Sequence, residues 1–275
     1  MNILYKYCDC FGDIKILSTL ELKLPFISDV NDPYDCRPLY ACGDDEKKWE
    51  KLISDNIKRQ SISPSNNYKQ KISDLLQSKD RQNKLITKLQ KEHENWNKEN
   101  CLLSVSKTAK NPVMWAYYAD RHQGLVIGID FDMIFCKNGK SWGIQTHEVQ
   151  YPPERQKIDV LDNNTENILK ILTTKSIYWK HEDEVRCIFV KNWIDAPGGD
   201  LETFKSNGLA LFKDFNGKKT WFLRLNPQSI KQVIFGLYTK ESLKLAVRKL
   251  IVGLPNIKLY EVVESKTYQF DIIEL

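Results

Sequence analysis

Short runs in which every second residue is apolar, or in which apolar residues are continuous over strand length, mark most of the chain. "NILYKY" near the start, "CLLSVSK" (101–107), "GLVIGIDF" (124–131) and "GIQTHEVQY" (143–151) each predict a strand. So do "EVRCIFV", "TWFLRL", "QVIFG", "KLYEVV" and "YQFDIIEL" in the C-terminal half. Helical spacing appears in an amphipathic stretch around "IKILSTLEL" and in "NPVMWAYYADRH", where Pro112 stands in the first turn. "NTENILKILTTKSIYW" sets Ile168, Leu169, Ile171 and Leu172 on one side behind a cap at Asn163 or Asn164. In "TKESLKLAVRKLIVG" Thr239 reads as the cap, with Ser242 where a capping box takes Glu or Gln. "LPFISDVNDPYDCRP" is loop chemistry, and its crowded Asp29, Asp32 and Asp35 suit Asx-turns rather than a calcium loop.

Between 45 and 100 the pattern changes. Lys, Asn, Gln, Asp and Glu dominate, while Ile72, Leu75, Leu76, Leu85, Ile86, Leu89, His93 and Trp96 keep one helical stripe. This predicts a helical insertion or cap within a single domain spanning 1–275, packed through Leu75, Leu76, Ile86, Leu89 and Trp96. Its basic face (Lys69, Lys71, Lys79, Arg81, Lys84 and Lys88) is interrupted by Asp74, Asp80 and Glu92. With no strict alternation of strand and helix, the expected class is α+β with a mixed or antiparallel sheet.

Composition adds little beyond limits. The 275 residues carry a formal charge of +5, which permits a nucleic-acid partner without requiring one. No apolar run approaches eighteen residues and the N-terminus lacks a signal-peptide layout, so the expectation is a cytoplasmic protein with no membrane span. Seven scattered cysteines (8, 10, 36, 42, 101, 136, 187) and four histidines (93, 122, 147, 181) show no zinc spacing, and no metal is expected. GxxxxGK[ST], GxGxxG and HExxH are all absent.

The chemistry concentrates in "SIYWKHEDEVRCIFV". At period two, Glu182, Glu184 and Arg186 would share one face of a strand that otherwise reads as core. A carboxylate pair with a guanidinium beside a cleft is a catalytic pattern, and an ion-pair network looks the same. Ser104 and Ser106 share a strand face. Met114, Trp115 and Tyr118 share a helix side, as core or as the walls of a pocket. Lys6 stands between Tyr5 and Tyr7, facing away from both.

In order, "LYKY", "NDPYD", the serine strand, "MWAYYADRHQGLVIGIDF", "VQY", the W-x-x-E-x-E-x-R motif and "VIFG" resemble a widespread bacterial family known only as a domain of unknown function. A further resemblance is to ADP-ribosyltransferases, through Lys6, then Ser104-Val105-Ser106, then Glu182-Asp183-Glu184. It implies an ADP-ribosyltransferase-like core that takes NAD as substrate, and a toxin or anti-phage effector role. By that resemblance Glu184 is the catalytic carboxylate and Glu182 its partner. Lys6, Tyr5, Ser104, Ser106, Trp115, Tyr118 and Arg186 bind the cofactor, and the acceptor is a protein or a nucleic acid. Lysine at position 6 departs from the Arg or His of those enzymes, keeping a point charge without the forked geometry. The alternatives are a non-catalytic nucleotide- or protein-binding module and a metal-dependent nuclease or hydrolase.

Overall fold

A computed structural model describes residues 2–43, 45, 47–51, 54, 73–74, 78–160, 165–191, 199–254 and 256–275. The N-terminal half supplies β1 (Ile3–Cys8), α1 (Cys10–Thr19), β2 (Glu21–Leu24), β3 (Leu39–Ala41), α2 (Lys79–Asn97), β4 (Cys101–Ser106), α3 (Pro112–Tyr118) and β5 (Leu125–Asp130). There follow β6 (Phe135–Lys137), β7 (Lys140–Trp142), β8 (His147–Glu148), β9 (Lys157–Asp159), α4 (Thr165–Leu172) and β10 (Glu184–Phe189). The chain ends with α5 (Leu201–Ser206), β11 (Ala210–Phe215), β12 (Lys218–Arg224), β13 (Ile230–Phe235), α6 (Glu241–Ile251), β14 (Lys258–Glu264) and β15 (Phe270–Glu274).

Eight strands form the main sheet in the order β15-β14-β13-β5-β1-β4-β10-β8, antiparallel except where β13 meets β14. That parallel pair needs a crossover, and α6 provides it. A second sheet, β11-β12-β2, closes over one face. The core between them is built from Leu22, Leu24, Leu103, Val105, Leu125, Ile127, Val185, Cys187, Trp221 and Leu223. The fold is therefore α+β with a mostly antiparallel sheet. No described helix is long and apolar enough to cross a membrane, and Cys8, Cys36, Cys42, Cys101, Cys136 and Cys187 are free thiols.

Local chemistry explains the boundaries, including those that depart from the expected ones. Asp9 caps α1 by accepting from Gly12 N–H (2.7 Å), and Leu20 then turns left-handed (φ 56°), which splits "IKILSTLEL" into a helix and β2. Thr239 does not cap α6. Its hydroxyl donates to the Gly124 carbonyl (3.0 Å), and the cap position falls to Lys240, which makes no side-chain capping bond. The "GIQTHEVQY" run pairs as a strand only at His147–Glu148, and Gln150 beyond it makes an isolated bridge to Thr174. Helix α2 starts at Ser78, whose hydroxyl accepts from Arg81 N–H. It packs through Leu85, Ile86 and Leu89 around buried Trp49 and Val160, with Trp96 against a neighbouring cluster. Leu75, Leu76, Asn163 and Asn164 lie outside the described residues.

Candidate functional site

The pairing of β1 with β4 is confined to Tyr5 opposite Ser106. Beyond that point the strands part. The Leu102 end of β4 bonds instead to the segment after β2, through Leu102 N–H to the Pro25 carbonyl (3.2 Å) and Ile27 N–H to the Asn100 carbonyl (2.9 Å). The opening between these contacts is a cleft of about 180 Å³. It runs through the sheet, so residues from both faces of β1 line it. Tyr5, Lys6 and Tyr7 are all present, and Lys6 Nζ reaches across to the Ser104 carbonyl (3.0 Å).

Ser104, Ser106, Met114, Tyr118, Glu182 and Glu184 line the same cleft, together with Asp35, expected only in a turn, and Lys175, for which no role was expected. Register explains the convergence. Ser106 stands opposite both Tyr5 and Glu184, and Ser104 opposite Arg186, so these side chains occupy one face at neighbouring positions. Glu182 arrives differently. It ends a 3-10 helix (Ile177–Glu182), and Asp183 in the left-handed region (φ 43°) swings the chain into β10. The period-two face expected for Glu182, Glu184 and Arg186 therefore holds only for the last two. Ser106 pins the turn, its hydroxyl donating to the Glu182 carbonyl (2.7 Å).

Beneath the cleft lies a buried charge cluster. Arg186 is fully buried and donates from Nε to Glu184 Oε1 (2.8 Å) and from Nη2 to Glu184 Oε2 (3.1 Å). It grips Asp35 with two further bonds, Nη1 to Oδ1 (2.9 Å) and Nη2 to Oδ2 (2.6 Å). Nη1 also donates to the Leu172 carbonyl (2.8 Å), satisfying the end of α4, where a cation is favoured. Lys175 Nζ bonds Glu182 Oε2 and Glu184 Oε2 (3.3 Å), and lies 4.8 Å from the centre of the Trp179 ring. Tyr118 donates to Glu182 Oε1 (2.6 Å) and accepts from Asn31 (3.0 Å), while Tyr151 accepts from Glu184 N–H (2.9 Å).

Three carboxylates thus face two cations, which leaves one surplus negative charge. The titrations divide accordingly. Burial pushes Glu184 up, but Arg186 and Lys175 overcome it and hold its carboxyl far below the ordinary range. Glu182 goes the other way. Burial raises it, only partly offset by Lys175, and Glu184 adds repulsion. Lys175 is lowered by burial but carried above its ordinary value by Glu184, Glu182 and Asp35, so it stays protonated. Burial and the neighbouring Glu182 also raise Tyr118, which keeps its donating proton.

Two residues expected in the pocket are elsewhere. Trp115 does not line the cleft. It is fully buried behind Tyr7 (edge-to-face, 5.5 Å) and donates Nε1 to the Ala109 carbonyl (2.6 Å). Residues 114 and 118 are one turn apart and face the cleft, whereas 115 lies about a third of a turn round the helix from 114. Arg186 sits below the cleft and contacts carboxylates rather than open space. Among the described residues of 45–100 none lines the cleft. Part of α2, with Leu89, Glu92, His93 and Trp96, borders a separate cavity against Tyr40 and Ile158.

Residues 114–187 match the model of a family described as protein of unknown function (DUF2971). The matched segment runs from α3 to β10 and so contains Tyr118, Tyr151, Lys175, Glu182, Glu184 and Arg186. Asp35, Lys6 and the serines of β4 come from outside it. Neither the curated proteins nor the solved structures compared with the chain give a match. Among the described residues no group of three or more His, Cys, Asp or Glu side chains is placed to hold a metal ion. Lys175 and Arg186 already bond the carboxylates of Asp35, Glu182 and Glu184.

Proposed function

We propose that the cleft binds NAD and that the chain breaks its nicotinamide–ribose bond, as an ADP-ribosyltransferase or an NAD glycohydrolase. The observation that carries this reading is the convergence of Lys6, Ser104, Ser106, Glu182 and Glu184 on one cleft, opened where β1 and β4 part. The surplus negative charge beneath it suits a substrate whose reacting ring is a cation. When the bond breaks, its electron pair leaves with nicotinamide, which becomes neutral, and the positive charge passes to the ribose. A fixed carboxylate stabilises that charge best where water is excluded. In this reading Glu184, held ionised, provides the fixed field. Glu182 takes the proton of the attacking acceptor or water.

At about 180 Å³ the cleft is smaller than the roughly 300–1,000 Å³ that encloses drug-sized ligands. A groove of about 550 Å³ shares Lys6, Tyr7, Pro25 and Tyr118 with it and gives a dinucleotide room. Lys15 and Lys23 lie in that groove over the Phe215 ring (4.1 and 5.1 Å), where they would meet phosphates. The acceptor, protein or nucleic acid, and a toxin or anti-phage effector role follow from the resemblance alone.

One observation favours a second reading, a non-catalytic nucleotide-binding module. Every carboxylate oxygen of Glu182 and Glu184 is already bonded, to Lys175, Arg186 or Tyr118. Incubating the purified chain with NAD and following free nicotinamide separates the two. Release supports the enzyme, and saturable NAD binding with no release supports the module. Neither binding nor release would remove both.

A further inference from the structure

Next to Lys175 lies a second cavity of about 200 Å³. Its walls come from the loop around Tyr34–Pro38, the segment 152–156, and residues 171 and 174–176. Lys175 lines both cavities. We propose that this second cavity binds a phosphoryl group, held by Arg37, Arg155 and Gln156, independently of whether the cleft takes NAD.

Three features point to a tetrahedral anion. First, neither guanidinium has a carboxylate partner among the described residues. Arg155 uses Nε and Nη2 on the Arg37 carbonyl (3.0 and 2.7 Å), and Arg37 uses Nη1 on the Pro33 carbonyl (3.0 Å). Most of their N–H donors stay uncommitted, yet Arg155 is fixed in orientation by those two bonds and by the Tyr34 ring, 5.2 Å away. Second, the Gln156 side-chain nitrogen is buried with no hydrogen-bond acceptor. Leaving such a donor dry costs free energy unless something arrives to accept from it. Third, Glu154 is the one acid among the lining residues, and it is exposed. Two guanidiniums and an amide from two facing segments suit a phosphate, whose oxygens point in several directions, better than a planar carboxylate. The volume takes a head group rather than a whole dinucleotide.

The test is calorimetric titration of the full chain with inorganic phosphate. Saturable binding is expected, weakened at least tenfold by Arg155→Gln or by Gln156→Glu and unchanged by Lys6→Gln. Both test positions are on a partly exposed surface, and a thermal melt confirms that each variant is folded. A titration with 5′-AMP identifies the source. Tighter binding than phosphate, reversed by Tyr34→Ala, indicates a nucleotide, and equal binding indicates free phosphate; both uphold the site. No saturable binding, or binding lost in Lys6→Gln and indifferent to Arg155→Gln, would overturn it.

Discussion

Two carboxylates two residues apart should respond to the same substitution with different costs. Glu184→Gln removes the charge that faces Arg186 and Lys175 in the interior. Breaking a buried pair typically costs about 3–5 kcal/mol. Arg186 keeps both of its bonds to Asp35, so the lower end, about 3 kcal/mol, applies here. At about 2–4 °C per kcal/mol for a chain of this size, the melting temperature should fall by roughly 6–12 °C at pH 7. Glu182→Gln removes the surplus charge instead. It leaves two carboxylates facing two cations, and the amide oxygen still accepts from Lys175 or Tyr118, so the loss should stay under about 1 kcal/mol.

The pH dependence separates the two further. Glu184 has a lowered folded pKa, so its stabilisation is complete above the unfolded value of about 4.3 and disappears as pH falls through the folded value. The gap between wild type and Glu184→Gln should therefore narrow below about pH 4.3. Glu182 has a raised folded pKa, so what it contributes is present below about pH 4.3 and lost as pH rises through the folded value. Wild type should accordingly weaken relative to Glu182→Gln over that rise. Urea unfolding across pH reads both. Equal melting temperatures for Glu184→Gln and wild type at pH 7 would refute the charge accounting.

Replacing Lys6 by Gln should raise KM for NAD about tenfold, roughly 1.4 kcal/mol, with kcat little changed, and Lys6→Arg should restore it. A fall in kcat with KM intact would place Lys6 at the reacting bond instead. Tyr118→Phe removes one donor from Glu182 and should cost about 1 kcal/mol. It should also shift the acid limb of any NAD-turnover profile upward, since the carboxylate loses a bond that favours its charged form; an unmoved limb would separate Glu182 from turnover. Trp115→Ala empties a fully buried site and should cost about 3–5 kcal/mol while turnover per folded molecule persists. Lost NAD binding at an unchanged melting temperature would return Trp115 to the pocket.

Much of the cleft was legible because strand register is local. Ser104, Ser106 and Glu184 sit where alternation puts them, and Pro112 opens α3 as its position implies. The left-handed Asp183 was not, since no glycine marks it, and so Glu182 was assigned to a strand. Asp35 bonds Arg186 across 151 positions, beyond any periodicity. A guanidinium in a run as apolar as "VRCIFV" still signals that carboxylates must meet it from elsewhere. The Asx-turn expected in "NDPYD" is present, Asp32 accepting from Tyr34 N–H (2.9 Å), and this turn delivers Asp35. Lys175 gave no signal, because a lone lysine after a helix is ordinarily solvated. Two hairpins were passed over although Asn138-Gly139 and Asn216-Gly217, left-handed at all four positions, are the strongest short-range mark of such turns.

The measurement closest to the central claim is nicotinamide release from NAD by wild type and by Glu182→Gln, each corrected for folded protein. Glu182→Gln is the better probe because it tests the chemistry without dismantling the Arg186 network. Wild type should turn NAD over. The variant should lose a factor of about a hundred, equal to roughly 2.7 kcal/mol of barrier, while NAD affinity changes far less. Equal rates in the two proteins, or no release by wild type under any acceptor condition, would contradict it.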